Sequence, residues 1–263
     1  MKIYISSEVE SSLNTKNPIL ALESTIISHG MPYPDNLEFA LEAESICRQQ
    51  GVVPATIAVV NGECCVGLTK AQIKSIAKDS STKKVSKRDL GVAIAKKWSG
   101  GTTVSATIHI AYQSGLTVFS TGGIGGVHRG AENTFDFSQD LIALSQTPMI
   151  VVTAGAKAIL DLPKTLETLE TLGVPVLGYK TSEFPAFYSR NSGLYGLCRI
   201  ESPAEAASIF QKNAGMGLSA STLVVNPVPV KDEIPNSEIE KIVDRAINVA
   251  QENKITGKGK TLV

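Results

Sequence analysis

The sequence predicts an α/β fold: a three-layer α/β/α single domain over residues 1–263, with a largely parallel or mixed central sheet. Three observations carry this. Short Val- and Ile-rich runs alternate with amphipathic segments along the chain. The amphipathic segments begin and end with helix punctuation. No internal repeat, low-complexity tract or linker interrupts the alternation. Strands that are apolar throughout and separated by helices belong to parallel sheets covered on both faces.

Taken in order, "NPILALEST" and "VVPATIAVV" read as strands, followed by "LTVFST", "PMIVVTA", "VPVLGY" and "STLVVNPVP". The segment "NLEFALEAESICRQQ" reads as a helix opened by a capping box from Asp35 to Glu38 and stopped at Gly51. Thr69 with Gln72 repeats the box ahead of "AQIKSIAK". Ser138 is a natural cap for "QDLIALSQ", and Ser202, Pro203 and Glu205 agree as N-cap, N1 and N3 of "AEAASIFQKNAG".

Composition narrows the function. A chain of 263 residues with 43% hydrophobic content can bury a large core. Its 25 basic and 25 acidic residues cancel, so no global field draws it to nucleic acid or to a membrane surface. No apolar run reaches membrane-spanning length, and "MKIYISSEVESSLNTKN" lacks the apolar centre of a signal peptide. Cys47, Cys64, Cys65 and Cys198 show no metal-type spacing, and neighbouring cysteines suit a disulfide poorly. Free thiols in the cytoplasm are the expectation. An anionic small molecule would have to be met by a local site.

In α/β sheets such sites form at the carboxyl ends of strands. Three stretches there hold unusual residues. "TGGIGGVHRG" has five glycines in ten residues, which suits either an anion-binding nest or a set of tight turns. His128 and Arg129 beside it favour an anionic or polar ligand. Asp136 and Asp140 flank Ser138 in "FDFSQD"; they read as capping residues or as hard oxygen donors for a divalent metal. Glu23 in "LALEST" sits where partial desolvation suits a general acid, or where a carboxylate simply binds neighbouring amides. His29 is open in the same way, whereas His109 in "ATIHIAY" reads as a packed helix residue. Lys157 ends "TAGAK" ahead of "AKAILDL", which reads as a helix start. Helix N-termini and burial both disfavour an ammonium, and a neutral amine attacks carbonyl or sugar carbons to give an imine. The alternative is a solvated helix lysine.

Together, "ALESTIISHGMPYPDN", "GVVPATIAVVNG", "TKKVSKRDL", "GGTTVSAT", "STGGIGGVHRGAENTFDFSQDL", "TAGAKAILDL", "LETLGVPVLGY" and "VVNPVP" resemble the pseudouridine-5'-phosphate glycosidase family, also known as pseudouridylate synthases or indigoidine synthase A-like proteins. The resemblance runs over roughly residues 17 to 257. It implies reversible cleavage of pseudouridine 5'-phosphate to uracil and ribose 5-phosphate, a divalent metal (typically Mn²⁺, with Mg²⁺ or another cation possible) and a homotrimer. By position, Glu23 matches the proton donor and Lys157 the covalent nucleophile. Lys84, Val104 (through its amide), Ser138, Gln139 and Asp140 match substrate contacts, Asp136 matches the metal ligand, and His128 lines the glycine loop. The family continues past "ITGK" with a helix whose asparagine reaches the active site. Here the sequence reads "ENKITGKGKTLV", so weakened catalysis or an altered oligomer is an expectation too. Two further readings differ in class. One is a folded sugar-phosphate-binding or interaction protein with little activity. The other is an enzyme using the same lysine on another sugar phosphate or C-nucleoside.

Overall fold

A computed structural model describes residues 3–253. The stretch "KITGKGKTLV", on which the expectation of a shortened tail rests, lies outside the described residues. The chain groups into two compact units, Met1–Ser120 and Thr121–Val263.

The first unit holds strands β1 (Ile3–Ile5), β2 (Ile19–Leu22), β3 (Val53–Val60), β4 (Glu63–Val66), β5 (Lys83–Val85), β6 (Gly100–Thr102) and β7 (Val118–Ser120). Its helices are α1 (Ser7–Thr15), α2 (Asp35–Gln49), α3 (Lys70–Lys78), α4 (Leu90–Ala95) and α5 (Val104–Gln113). Strand β2 runs parallel to β3 on one side and to β7 on the other. The β1–β4 and β5–β6 pairs are also parallel, whereas β4 and β6 pair antiparallel with β3. Strand β3 is buried along nearly its whole length, which is why its sequence is continuously apolar instead of alternating. Ile27, Ala58, Leu68, Ile73 and Ile76 pack into one cluster that seats α3.

The second unit holds β8 (Ile150–Thr153), β9 (Val176–Tyr179), β10 (Cys198–Ile200) and β11 (Thr222–Val225), all parallel, in the order β8–β11–β9–β10. Its helices are α6 (Ala131–Thr134), α7 (Gln139–Gln146), α8 (Leu162–Thr171), α9 (Pro203–Gly215) and α10 (Asn236–Glu252). Leu177, Ile200, Ala206 and Val224 form a core cluster beneath α9. The α/β class and the largely parallel pairing therefore hold. Among the described residues no helix is long and apolar enough to cross a membrane.

The caps follow the sequence at three of four places. Thr69 and Gln72 form a full capping box, Ser138 accepts from the Asp140 amide, and Ser202 accepts from the Glu205 amide. The box expected at Asp35 is absent. Helix α2 begins at Asp35 itself with Pro34 in the cap position, so Asp35 and Glu38 serve as first-turn acids facing the positive helix end.

Candidate active site

In the first unit, Glu23 follows β2 directly and is half-buried. The next residue, Ser24, is fully buried and fastens this strand end. Its Oγ donates to the Ile57 carbonyl (2.6 Å) and accepts from the Thr102 amide (2.9 Å). The Thr102 hydroxyl donates to the same carbonyl (2.6 Å) and accepts from Thr107 (2.9 Å). Gly101 lies between Ser24 and Ser28, where a Cβ would fall 2.6 Å from the Ser24 carbonyl oxygen and 2.2 Å from Ser28 Oγ. Only glycine permits that approach. Lys84 on β5 stands in register with Gly101, and β6 leads through Thr103 to Val104, the first residue of α5. Val104 thus presents one of the amides that a helix N-terminus leaves without an intrahelical partner. Three predicted residues, Glu23, Lys84 and Val104, are therefore organised around one short strand.

Ser24→Ala removes both buried bonds of that fastening. It is expected to cost about 2 kcal/mol and roughly 4–8 °C in Tm. An unchanged melting curve would show that the strand end is held otherwise.

A π-helical turn, Ile26–Gly30, follows, a geometry frequent at functional sites. It carries His29, whose Nδ1 lies 2.6 Å from Ser28 Oγ. Burial first, then the Lys84 charge, hold this imidazole below its ordinary 6.5, against the Thr82 backbone, which favours the charged ring. His109 on α5 is half-buried, as expected of a packed helix residue, and is lowered by burial and by Lys87. A ring with a depressed folded-state pKa takes up a proton on unfolding, so its contribution is complete above about 6.5 and lost as pH falls through the folded value. The urea midpoint should drop between pH 7 and pH 5, and His29→Asn should flatten part of that drop. An identical profile in the variant would assign the acid sensitivity elsewhere.

In the second unit the predicted residues gather on the glycine loop that begins at Thr121. The Ile124 amide donates to the Gly155 carbonyl (3.0 Å) and the Gly125 amide to Asp140 Oδ2 (2.9 Å). The Val127 amide donates to Thr165 Oγ1 (2.9 Å), and the His128 amide to the Asp136 carbonyl (3.0 Å). The nest reading is corrected for these four amides, because the protein's own acceptors take them. The glycines serve close approach instead. A Cβ on Gly125 would meet Ser138 Oγ at 2.2 Å, one on Gly126 would meet Thr165 Oγ1 at 2.4 Å, and one on Gly123 would meet the Phe187 ring at 2.3 Å. Arg129 is likewise engaged, paired with Glu240 (3.0 Å) and Asp244 (3.2 Å) of α10. His128 is buried, Gln139 is the first residue of α7, and Ser138 reaches the loop through its amide, which donates to the Gly126 carbonyl (2.9 Å).

Lys157 is half-buried, and its amide donates to the Ile124 carbonyl (3.1 Å). The expected helix start at this lysine is corrected. Helix α8 begins only at Leu162, where Asp161 accepts from the Lys164 amide (3.1 Å) and proline occupies the first turn. Asp161 is the better cap, and the macrodipole does not act on Lys157 through a helix of its own. Among the described residues the Lys157 amine takes neither an ion pair nor a hydrogen bond. That leaves it available to a ligand. The cysteines offer no rival nucleophile on the buried side, since burial raises the Cys64 thiol and pushes Cys65 to about 11.

Sequence reasoning missed Ser24, Gly101, Thr165 and Phe187. The first three have no distinctive pattern. Phe187, in "EFPAFYSR", combines an aromatic pair with a preceding proline, but nothing there signals its left-handed backbone (φ 63°).

The family model described as indigoidine synthase A like protein matches residues 8–262. The chain belongs to this family. A pseudouridine-5'-phosphate glycosidase of Solibacter usitatus is 51% identical over 261 residues, spanning 99% of this chain and 87% of the relative. One from Caldanaerobacter subterraneus is 51% identical, spanning 98% and 84%. Among solved structures, the prealnumycin C-glycosynthase AlnA in complex with ribulose 5-phosphate superposes with a TM-score of 0.89 at 36% identity, over 98% of this chain and 84% of that one. An indigoidine synthase A-like protein of Thermotoga maritima gives 0.86 at 32% identity, over 99% and 89%.

Proposed function

We propose that this chain cleaves the carbon–carbon glycosidic bond of pseudouridine 5'-phosphate with water, reversibly, to uracil and ribose 5-phosphate. The carrying observation is its 51% identity over 261 residues to a glycosidase of that name. The AlnA complex with ribulose 5-phosphate supports a pentose phosphate as the ligand class. Its lower identity, 36%, favours cleavage over that enzyme's synthetic reaction.

A carbon leaving group has no lone pair to protonate, so the two-carboxylate scheme of ordinary glycosidases does not serve. A lysine amine does. In our reading Glu23 gives a proton to the ribose ring oxygen while Lys157 Nζ bonds to the anomeric carbon, and the ring C–O bond breaks. The nitrogen sheds a proton, and its lone pair then expels the uracil carbon, which takes up a proton in turn. The imine left on the open-chain sugar adds water and collapses, returning the amine and releasing ribose 5-phosphate. Lys84 and the Val104 amide suit the phosphate, as a point charge and a helix N-terminus. Ser138, Gln139, Asp140 and His128 are assigned to substrate contacts beside the glycine loop.

Asp136, half-buried on an irregular loop, is assigned to the divalent cation. No three His, Cys, Asp or Glu side chains cluster among the described residues. A hard ion such as Mn²⁺ or Mg²⁺ that keeps most of its waters fits a single carboxylate. Bound there, it would supply positive charge and ordered water to the substrate. A homotrimer in the cytoplasm completes the reading, on the strength of the family resemblance.

The test is uracil release from pseudouridine 5'-phosphate with Mn²⁺ present, followed by borohydride and intact mass. Uracil together with a reduced pentose-phosphate adduct supports the reading. Release from other C-nucleoside phosphates only, or binding with no turnover, would replace it.

A further inference from the structure

We propose that Phe187 is a positioning residue for Lys157. Its ring walls the lysine stem against the glycine loop and keeps the amine aimed at the sugar carbon. This rests on the reading of Lys157 as the imine-forming nucleophile.

The main chain is the first sign. Phe187 has φ 63°, a left-handed conformation that glycine or asparagine adopts readily and a bulky aromatic does not. Such strain persists only where the surroundings over-determine it. Here they do. Ala186 bridges to Gly155, and its amide donates to the Ser189 carbonyl (2.9 Å). The Ile234 amide donates to the Tyr188 carbonyl (3.0 Å), and the Arg190 amide to Glu233 (2.8 Å). On the far side, the buried Glu183 carboxylate accepts from the Ser192 and Gly193 amides, both at 2.7 Å. The turn is clamped at both ends.

What the clamp delivers is the ring. Phe187 meets Tyr188 edge to face, with centroids 4.5 Å apart, and comes down on Gly123. A Cβ at Gly123 would lie 2.3 and 2.6 Å from two Phe187 ring carbons and 3.3 Å from Lys157 Cγ. Ring and lysine stem therefore share one spot above the loop. A lysine has a long, rotamer-rich stem, and a nucleophile acts only from a narrow range of orientations. Backbone on one side and an aromatic wall on the other remove most of the unproductive rotamers. A turn needing only φ > 0 would be served by glycine, so the aromatic side chain calls for an explanation of its own.

The experiment compares wild type with Phe187→Gly, which adopts the backbone conformation without strain but lacks the ring. Phe187→Asn stands in if the glycine variant does not fold, and Phe187→Tyr restores a ring. Uracil-release kinetics and the rate of borohydride trapping with ribose 5-phosphate are read alongside Tm. The expected result is a fall of about 10- to 100-fold in kcat and in trapping rate, with KM within about threefold and Tm lowered by no more than about 5 °C. Phe187→Tyr should recover most of both rates. Equal trapping rates in wild type and the ring-less variant, or a loss confined to KM, overturn the positioning role alone. A wild type that forms no adduct on Lys157 overturns the lysine reading itself, and this role with it.

Discussion

Lys157→Ala is expected to abolish both uracil release and the borohydride-trapped adduct while leaving the fold intact. Two separable properties of this position support that. The backbone is what the structure uses: the Lys157 amide holds the Ile124 carbonyl and its own carbonyl accepts from the Leu160 amide, bonds that alanine keeps. The side chain ends in an amine with no ion pair or hydrogen bond among the described residues, so truncation strands no partner. Only a half-buried aliphatic stem is lost, and Tm should move by no more than about 3 °C. Activity should fall on another scale, by about four orders of magnitude or more, as when a covalent nucleophile is removed. Lys157→Arg sharpens the comparison, because a guanidinium keeps the charge but does not deprotonate to form an imine. If Lys157→Arg retained turnover, the amine would be an electrostatic group and not a nucleophile. Differential scanning fluorimetry and intact mass on the same preparations separate these outcomes.

Much of this was legible in the chain, for identifiable reasons. Buried parallel strands read as continuous Val and Ile runs, so β2, β3, β7, β8, β9 and β11 announce themselves. The caps at Thr69, Ser138 and Ser202 are local chemistry, readable four residues at a time. The strands β5 and β6 were not legible. They are three residues each, "KKV" and "GGT", and pairing alone makes them strands. The helix start misread at Lys157 has a different, local origin: "AKAILDL" suits a helix, but Asp161 four residues on caps better and wins. Candidate site residues with distinctive chemistry, Glu23 and Lys157, stand out in the sequence. Those acting through shape did not, because what makes Gly101, Gly123 or Phe187 necessary is a neighbour distant in sequence.

Gly155→Ala is expected to damage the fold severely, and a second glycine separates its causes. Gly155 has φ 112°, and a Cβ there would lie 2.4 Å from the Pro185 carbonyl oxygen. That contact is with backbone, which cannot swing aside as a side-chain tip can. Backbone strain and overpacking each cost about 1–3 kcal/mol, so the variant should lose about 3–5 kcal/mol and about 10 °C or more in Tm. The same peptide carries the loop: the Gly155 carbonyl accepts from the Ile124 amide and from Thr153 Oγ1, both at 3.0 Å. Gly173→Ala is the control. Its φ is also positive (70°), yet nothing lies within 4 Å of the added methyl, so it should cost only about 1 kcal/mol. Equal losses at the two positions would mean that backbone conformation alone is at stake and that the Pro185 contact relaxes freely. A larger loss at Gly155, together with a fall in Lys157 trapping per folded molecule, would tie the exit of β8 to the turn carrying Phe187. The glycine in "TAGAK" would then be what lets the two segments meet beside the lysine.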